Sequence, residues 1–273
     1  MAKKPANKNA VAKRDDKTTA VANFDYGDAA GKGYENQTND DILIPFLNLL
    51  QKGSPLVEDR KEAKAGLIYN TVTEELYETV EFVPATTRHE CVEWVPRDAG
   101  GGFVNKYPMT DQVVRDAQAR AEEFNKLTMP NGNELQETFS VFGILCVDGE
   151  PVGMAVIPFA STKIKVYKKY ISRLRMFTPK AADGTKINPP LYAHLAVLGS
   201  CDQEHQAGKS KNFTLEAAVD NKLPLSMMGP DDPRYQAAEN VYNLVQSGAA
   251  EANYDRMNDA DGDAKGEDEE LPF

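Results

Sequence analysis

The chain has 273 residues, with 42 acidic against 31 basic side chains and a formal net charge of −11, enough length for one large domain with a real core. Its three cysteines include no C-x-x-C pair, which excludes a disulfide scaffold and a standard zinc finger. The lysine-rich start lacks the apolar stretch of a signal peptide, and no apolar run approaches the length of a membrane span, so we expect a cytoplasmic protein without membrane contact.

Residues 1–40 are rich in Lys, Ala, Asn, Asp and Gly, and read as a disordered basic arm; residues 1–17 alone carry a charge of +4. Order is expected to begin at the apolar run Ile42–Leu47, ahead of the turn signal Lys52-Gly53-Ser54-Pro55. From Gly66 the pattern is that of strands. Leu67–Val72 forms one, and the β-branched and aromatic stretch Tyr77–Pro96 forms a long one bent at Pro84 or a close pair. Gly100-Gly101-Gly102 ends it, and the apolar spacing of Val113, Val114, Ala117, Ala121 and Phe124 predicts a helix over 110–127 capped by Thr110.

Strands over 138–147 and 152–159 flank the hairpin signal Asp148-Gly149-Glu150. Ser161 is placed to cap a helix running to about Phe177, with Ile164, Tyr167, Ile171 and Leu174 as its apolar stripe. Strands at 192–198 and 212–219 follow, across a polar loop from Ser200 to Lys211, and a last helix spans Pro233–Val245. The order strand, strand, strand, helix, strand, strand is that of an OB-fold. The expected fold is therefore α+β and mainly β: an OB-like five-stranded barrel over 41–249, with inserted and C-terminal helices and disordered termini. Other α+β meanders share this order.

Motifs for catalysis are missing. Gly208-Lys209-Ser210 matches only the end of a P-loop, there is no G-x-S-x-G, H-E-x-x-H or dinucleotide fingerprint, and three histidines leave little acid–base chemistry. We expect no enzyme, no cofactor and no metal: His89-x-Cys91 and Cys201-x-x-x-His205 lack zinc spacing, and the EF-hand-like Asp259, Asp261, Asp263 and Glu270 have Ala264 where glycine is required.

Charge distribution says more. From Pro151 to Ala182 there is no acidic residue, while Lys163, Lys165, Lys168, Lys169, Arg173, Arg175 and Lys180 give +7. Such lysines commonly form only a solvated helix face. Here the absence of neutralising carboxylates in an acidic chain, and the neighbouring Phe159, Tyr167, Tyr170 and Phe177, point to nucleic acid. If this helix plugs a barrel end, the groove would instead draw on Arg88, Trp94, Arg97, Lys106, Tyr107, Lys209 and Lys211. Trp94 reads equally as a stacking platform before the Gly-rich loop and as a core side chain.

Residues 250–273 carry −7 and read as a disordered acidic tail, yet they finish Glu269-Glu270-Leu271-Pro272-Phe273. Folding gives an unpacked segment no reason to hold an apolar tip, whereas capture in a partner's basic, hydrophobic pocket does.

This tip resembles the C-terminal tip of bacterial and phage single-stranded DNA-binding proteins, with Leu271 in place of the usual Ile. The body is similar to the divergent OB-fold members from phages in the run Ile44–Gln51, in Ser54-Pro55 and in the Trp94 segment. The resemblance implies a non-catalytic protein of the host cytoplasm. It would coat single-stranded DNA with little sequence preference during phage replication, recombination and repair, and recruit replication or recombination proteins through the tail. The rival readings are a single-strand annealing recombination protein and a phage interaction or structural protein that binds no DNA. Oligomeric state is not readable from the residues.

Overall fold

The computed structural model describes residues 32–33, 43–121, 127–181, 183–205, 208–217 and 227–254. In chain order the strands are β1 (Leu47–Leu49), β2 (Ile68–Asn70), β3 (Leu76–Tyr77), β4 (Val80–Trp94), β5 (Phe103–Pro108), β6 (Leu127–Thr128), β7 (Glu134–Val147), β8 (Glu150–Ala160), β9 (Ala196–His205) and β10 (Gly208–Ala217). The helices are α1 (Pro55–Asp59), α2 (Gln112–Arg120), α3 (Lys163–Met176) and α4 (Pro233–Gln246). The architecture is α+β and mainly β.

The spine of the large sheet is the antiparallel pair β4–β7, in register from Glu81 opposite Cys146 to Trp94 opposite Glu134. β4 is one continuous strand, bent where Pro84 breaks the ladder and the register shifts before Thr86. Opposite Pro84 stands Gly143, where a Cβ would collide with the Val83 carbonyl oxygen and come within 2.6 Å of the Phe82 ring, so the bend requires glycine there. The shift has a second effect. Val80 and Phe82 face one core, while Val83, Ala85, Val92 and Trp94 face the other, the parity changing at the bulge so that Val92 and Trp94 keep to the same core as Val83 and Ala85.

Around this spine the strands run in the order β10-β9-β4-β7-β8, with β5 beside the far end of β4 and β6 beside the far end of β7. β7 and β8 are joined by the two-residue turn Asp148-Gly149, both at positive φ (53° and 84°), the geometry an Asp-Gly hairpin demands. The sheet does not close into the expected barrel: among the described residues β8 and β10 share no ladder. The segment holding β1 bridges that seam instead. The Val156 amide donates to the Pro45 carbonyl at 2.9 Å, and the Gln51 side chain both donates to the Lys211 carbonyl and accepts from its amide, each at 3.0 Å.

Both faces of the spine are covered. On one, Tyr170 and Leu174 of α3 join Leu47, Leu49, Phe82, Val141, Ile157, Phe159 and Phe213. On the other, Ala238, Val241 and Val245 of α4, with Ala250, Ala252 and Tyr254 after it, pack on Phe46, Val83, Phe142, Ile144 and Val156. α4 is started by Asp232, whose side chain accepts from the Arg234 amide, with Pro233 in the first turn.

Three local expectations need correction. The helix near 110 is capped by Asp111, which accepts from the Val113 amide at 2.9 Å, and it reaches Arg120; 122–126 lie outside the described residues. Ser161 does not cap α3: it takes φ 51° and Thr162 is the N-cap, without a side-chain hydrogen bond. The polar stretch after Ser200 is not a loop but the outer half of the β9–β10 hairpin, where Lys209 pairs directly with Glu204 and Lys211 with Asp202. β5 was not expected at all; the Gly-rich turn folds it back, with the Val95 amide donating to the Gly102 carbonyl at 2.9 Å.

Most of the arm over 1–40 and the tail from residue 255 on, with Glu269, Glu270, Leu271, Pro272 and Phe273, lie outside the described residues.

Candidate nucleic-acid interface

α3 presents the clearest basic surface. Its inward side is set by the helical repeat, Tyr170 and Leu174 being buried with Ile164, Tyr167 and Ile171 packed beside them. The outward side carries Lys165, Lys168, Lys169, Arg173 and Arg175, all exposed. Among the described residues Lys165, Lys169, Arg173 and Arg175 form no ion pair. Lys168 is held more closely. Its ammonium lies 5.4 Å from the Phe139 ring centroid and 3.8 Å from a Glu137 carboxylate oxygen that also meets His89 at 2.8 Å. The half-buried Lys163 lies over Phe213, at 5.5 Å.

Arg173 and Arg175 in the last turn suit the helix dipole, but the first turn contains no acid and instead holds Lys163 and Lys165, where the dipole repels them. Helix stability alone does not favour this arrangement. It leaves a surface of one sign on an acidic protein.

The candidates on β4 and β5 have other duties. Arg88 donates to the Val245 carbonyl at the end of α4, and Lys106 binds the Glu251 carboxylate at 2.8 Å and the Ala252 carbonyl at 3.2 Å. Trp94 is packed edge-on against Phe103 and Tyr254, with ring centroids 6.0 and 6.1 Å away, and its indole N–H is buried. Tyr254 is itself fully buried, hydrogen-bonded to Ser140 and 5.2 Å from the Phe46 ring. Together these side chains strap the segment after α4 to the sheet. Tyr107 faces a different neighbour, donating at 2.7 Å to Glu93, which also accepts from Asn133 at 2.6 Å. Desolvation pushes the Glu93 carboxyl up, but the hydrogen bonds from Asn133, Tyr107 and Asn131 outweigh it and hold the group below its ordinary value.

Arg97 lies exposed in a one-turn 3-10 helix ahead of the three glycines, which take φ of 108°, 65° and 121°. Space around their missing side chains is open, so the glycines serve the backbone path rather than a close approach. Lys209 and Lys211 are each 2.8 Å from a carboxylate across the hairpin. The structure thus brings Lys165, Lys168, Lys169, Arg173 and Arg175 onto one surface and sets Arg88, Lys106, Trp94 and Tyr107 apart from it.

Of the residues weighed for metal, His89 and Cys91 are also engaged. His89 stacks on Phe139 at 3.9 Å, and burial pushes the Cys91 thiol up to about 11, which keeps it a neutral core group beside Met109.

A feature not anticipated from the sequence is a groove of about 370 Å³ between the β4 bend and α4, lined by Thr86, Thr87, Pro190, Leu191, Tyr192 and Tyr242 among others. Its signal was present as Tyr235 and Tyr242, seven residues apart on α4, and as the Pro-Leu-Tyr run at 190–192.

A family model described as Pam3 phage gp34-like protein matches residues 14–251. Neither the curated proteins nor the solved structures include a significant match to the chain.

Proposed function

The chain belongs to the Pam3 phage gp34-like family, and from that premise we propose that it is a non-catalytic phage protein that binds single-stranded DNA with little sequence preference. The observation that carries this reading is the outward face of α3, where Lys165, Lys169, Arg173 and Arg175 stand exposed and without a carboxylate partner among the described residues. Phosphates would bind there as point-charge partners, releasing counterions and making affinity strongly salt-dependent.

Two further features support it. The order β10-β9-β4-β7-β8, with α3 between β8 and β9, is that of an OB-fold, the segment around β1 occupying the seam where such a barrel would close. The acidic run ending Leu271-Pro272-Phe273 supplies a short motif for recruiting replication or recombination proteins in the host cytoplasm.

The test is fluorescence anisotropy of labelled oligo-dT and of a duplex of the same length, titrated across salt. We expect tighter binding of the single strand and a log–log salt slope of about −3 if four phosphates are contacted. Faster pairing of complementary oligonucleotides would favour the annealing protein, and no binding to either DNA at low salt would leave a phage interaction or structural protein.

A further inference from the structure

We infer that the groove between the β4 bend and α4 is a subsite for an unpaired nucleobase of the strand whose phosphates lie along α3; the inference rests on the reading above and names where that strand is read. The groove measures about 370 Å³ and is open to solvent. Its aromatic wall is already in place. Tyr192 is fixed by an edge-on contact with Tyr235 at 5.0 Å and a hydrogen bond to Glu239 at 3.4 Å, and it meets Tyr242 at 5.7 Å.

Tyr242 itself is 38% exposed and lines the groove. A flat partner that stacks on this ring would remove that area from water.

The polar edge of the groove suits a base rather than an alkyl group. Thr86 accepts a hydrogen bond from Gln246 at 3.3 Å, and Thr87 accepts one from Tyr167 at 3.2 Å. Hydroxyl and amide groups that both donate and accept can meet any base edge, as binding with little sequence preference requires.

A hydrogen bond ties the groove to the basic helix. Tyr167 belongs to α3, and its hydroxyl donates to Thr87 in the groove lining at 3.2 Å. One hydrogen bond therefore joins the groove lining to the helix that carries Arg173 and Arg175. A strand with phosphates along α3 would meet the groove where Tyr167 reaches Thr87. An apolar peptide side chain would use the aromatic wall but not the hydroxyl edge of Thr86 and Thr87.

The test compares oligo-dT with an abasic oligomer of the same length and charge, using the full chain and its Tyr242→Leu and Tyr242→Phe variants. The wild type is expected to favour oligo-dT over the abasic strand by about fivefold to a hundredfold, the range of a base stacked on an aromatic ring. Tyr242→Phe should keep that preference and Tyr242→Leu should lose most of it, with affinity for the abasic strand unchanged. Full preference retained in Tyr242→Leu overturns the subsite while leaving single-strand binding in place. Equal wild-type binding of both strands also overturns it. Binding of neither strand overturns the underlying reading instead. Should Tyr242→Leu fail to fold, photocrosslinking of wild-type protein to iodouridine-substituted strand decides: adducts on Tyr192 or Tyr242 support the subsite, and adducts confined to other residues overturn it.

Discussion

The basic residues of α3 and those of β4 and β5 are the same kinds of side chain in opposite circumstances. Lys165, Lys169, Arg173 and Arg175 project from a helix with no carboxylate at hand among the described residues. Arg88 and Lys106 are turned onto the carbonyls of Val245 and Ala252, and Trp94 is enclosed by Phe103 and Tyr254. What separates them is the arrival of another element. α4 and the segment to Tyr254 reach the second face of the sheet and take its donors as anchors, whereas the outer side of α3 is left to solvent. A basic residue is available to an external phosphate only if no internal acceptor claims it first.

The contrast can be broken most forcefully at the strap. Tyr254→Ala removes a fully buried aromatic ring from among Phe46, Trp94 and Phe103, and we expect a loss of about 3–5 kcal/mol in chemical denaturation. The DNA affinity of the folded fraction should stay unchanged. A large change in affinity with little loss of stability would mean that the strapped residues belong to the binding surface after all.

The reverse outcome is expected on α3. The triple variant Lys165→Glu, Lys169→Glu, Arg173→Glu should weaken oligo-dT binding at least about tenfold and make the salt slope shallower by about 2, while unfolding free energy moves by no more than about 0.5 kcal/mol. Lys209→Ala, whose ammonium already meets Glu204 at 2.8 Å, should leave affinity almost unmoved and serves as the control. An equal loss of affinity in the control would erase the distinction between free and paired cations.

The smallest effect sharpens the comparison through pH. Burial raises the Glu90 carboxyl above its ordinary value; Lys106 and Arg88 oppose this, and Glu251 adds to it. Because the folded form holds this proton more tightly than the unfolded chain, the contribution of Glu90 to stability falls as pH rises from the ordinary carboxylate range through the raised value. Glu90→Gln should therefore be slightly more stable than the wild type at neutral pH and indistinguishable from it near about pH 3.5. Urea titrations at the two pH values check the sign. No such pH-dependent gain is expected from substitutions on α3.

The sequence carried the parts of this fold that depend on short stretches of chain. Pro84 marks the bend of β4 because it has no N–H to give the ladder, and Asp148-Gly149 marks the hairpin because both residues accept positive φ. α3 and α4 were visible through their helical repeat. The outer half of the β9–β10 hairpin was hidden because its polar residues resemble a loop until Lys209 meets Glu204 and Lys211 meets Asp202 across the strands. β5 was hidden because Phe103–Pro108 gains its ladder only from the end of β4.

Of the candidate interface, the run of cations from Lys163 to Arg175 could be read from composition and helical spacing alone, since a 3.6-residue repeat fixes which side of the helix each side chain takes. Residue order could not say that Arg88 reaches a carbonyl 157 positions away, or Lys106 one 146 positions away. Nor could it say that Gln51 grips β10 at Lys211 or that Tyr192 meets Tyr242 beside the β4 bend. Dihedral preference and hydrophobic period act over a few residues and leave their mark on neighbouring positions. Partner choice among charges, the joining of a sheet across a seam and the shape of a groove arise only when distant segments compete for the same space.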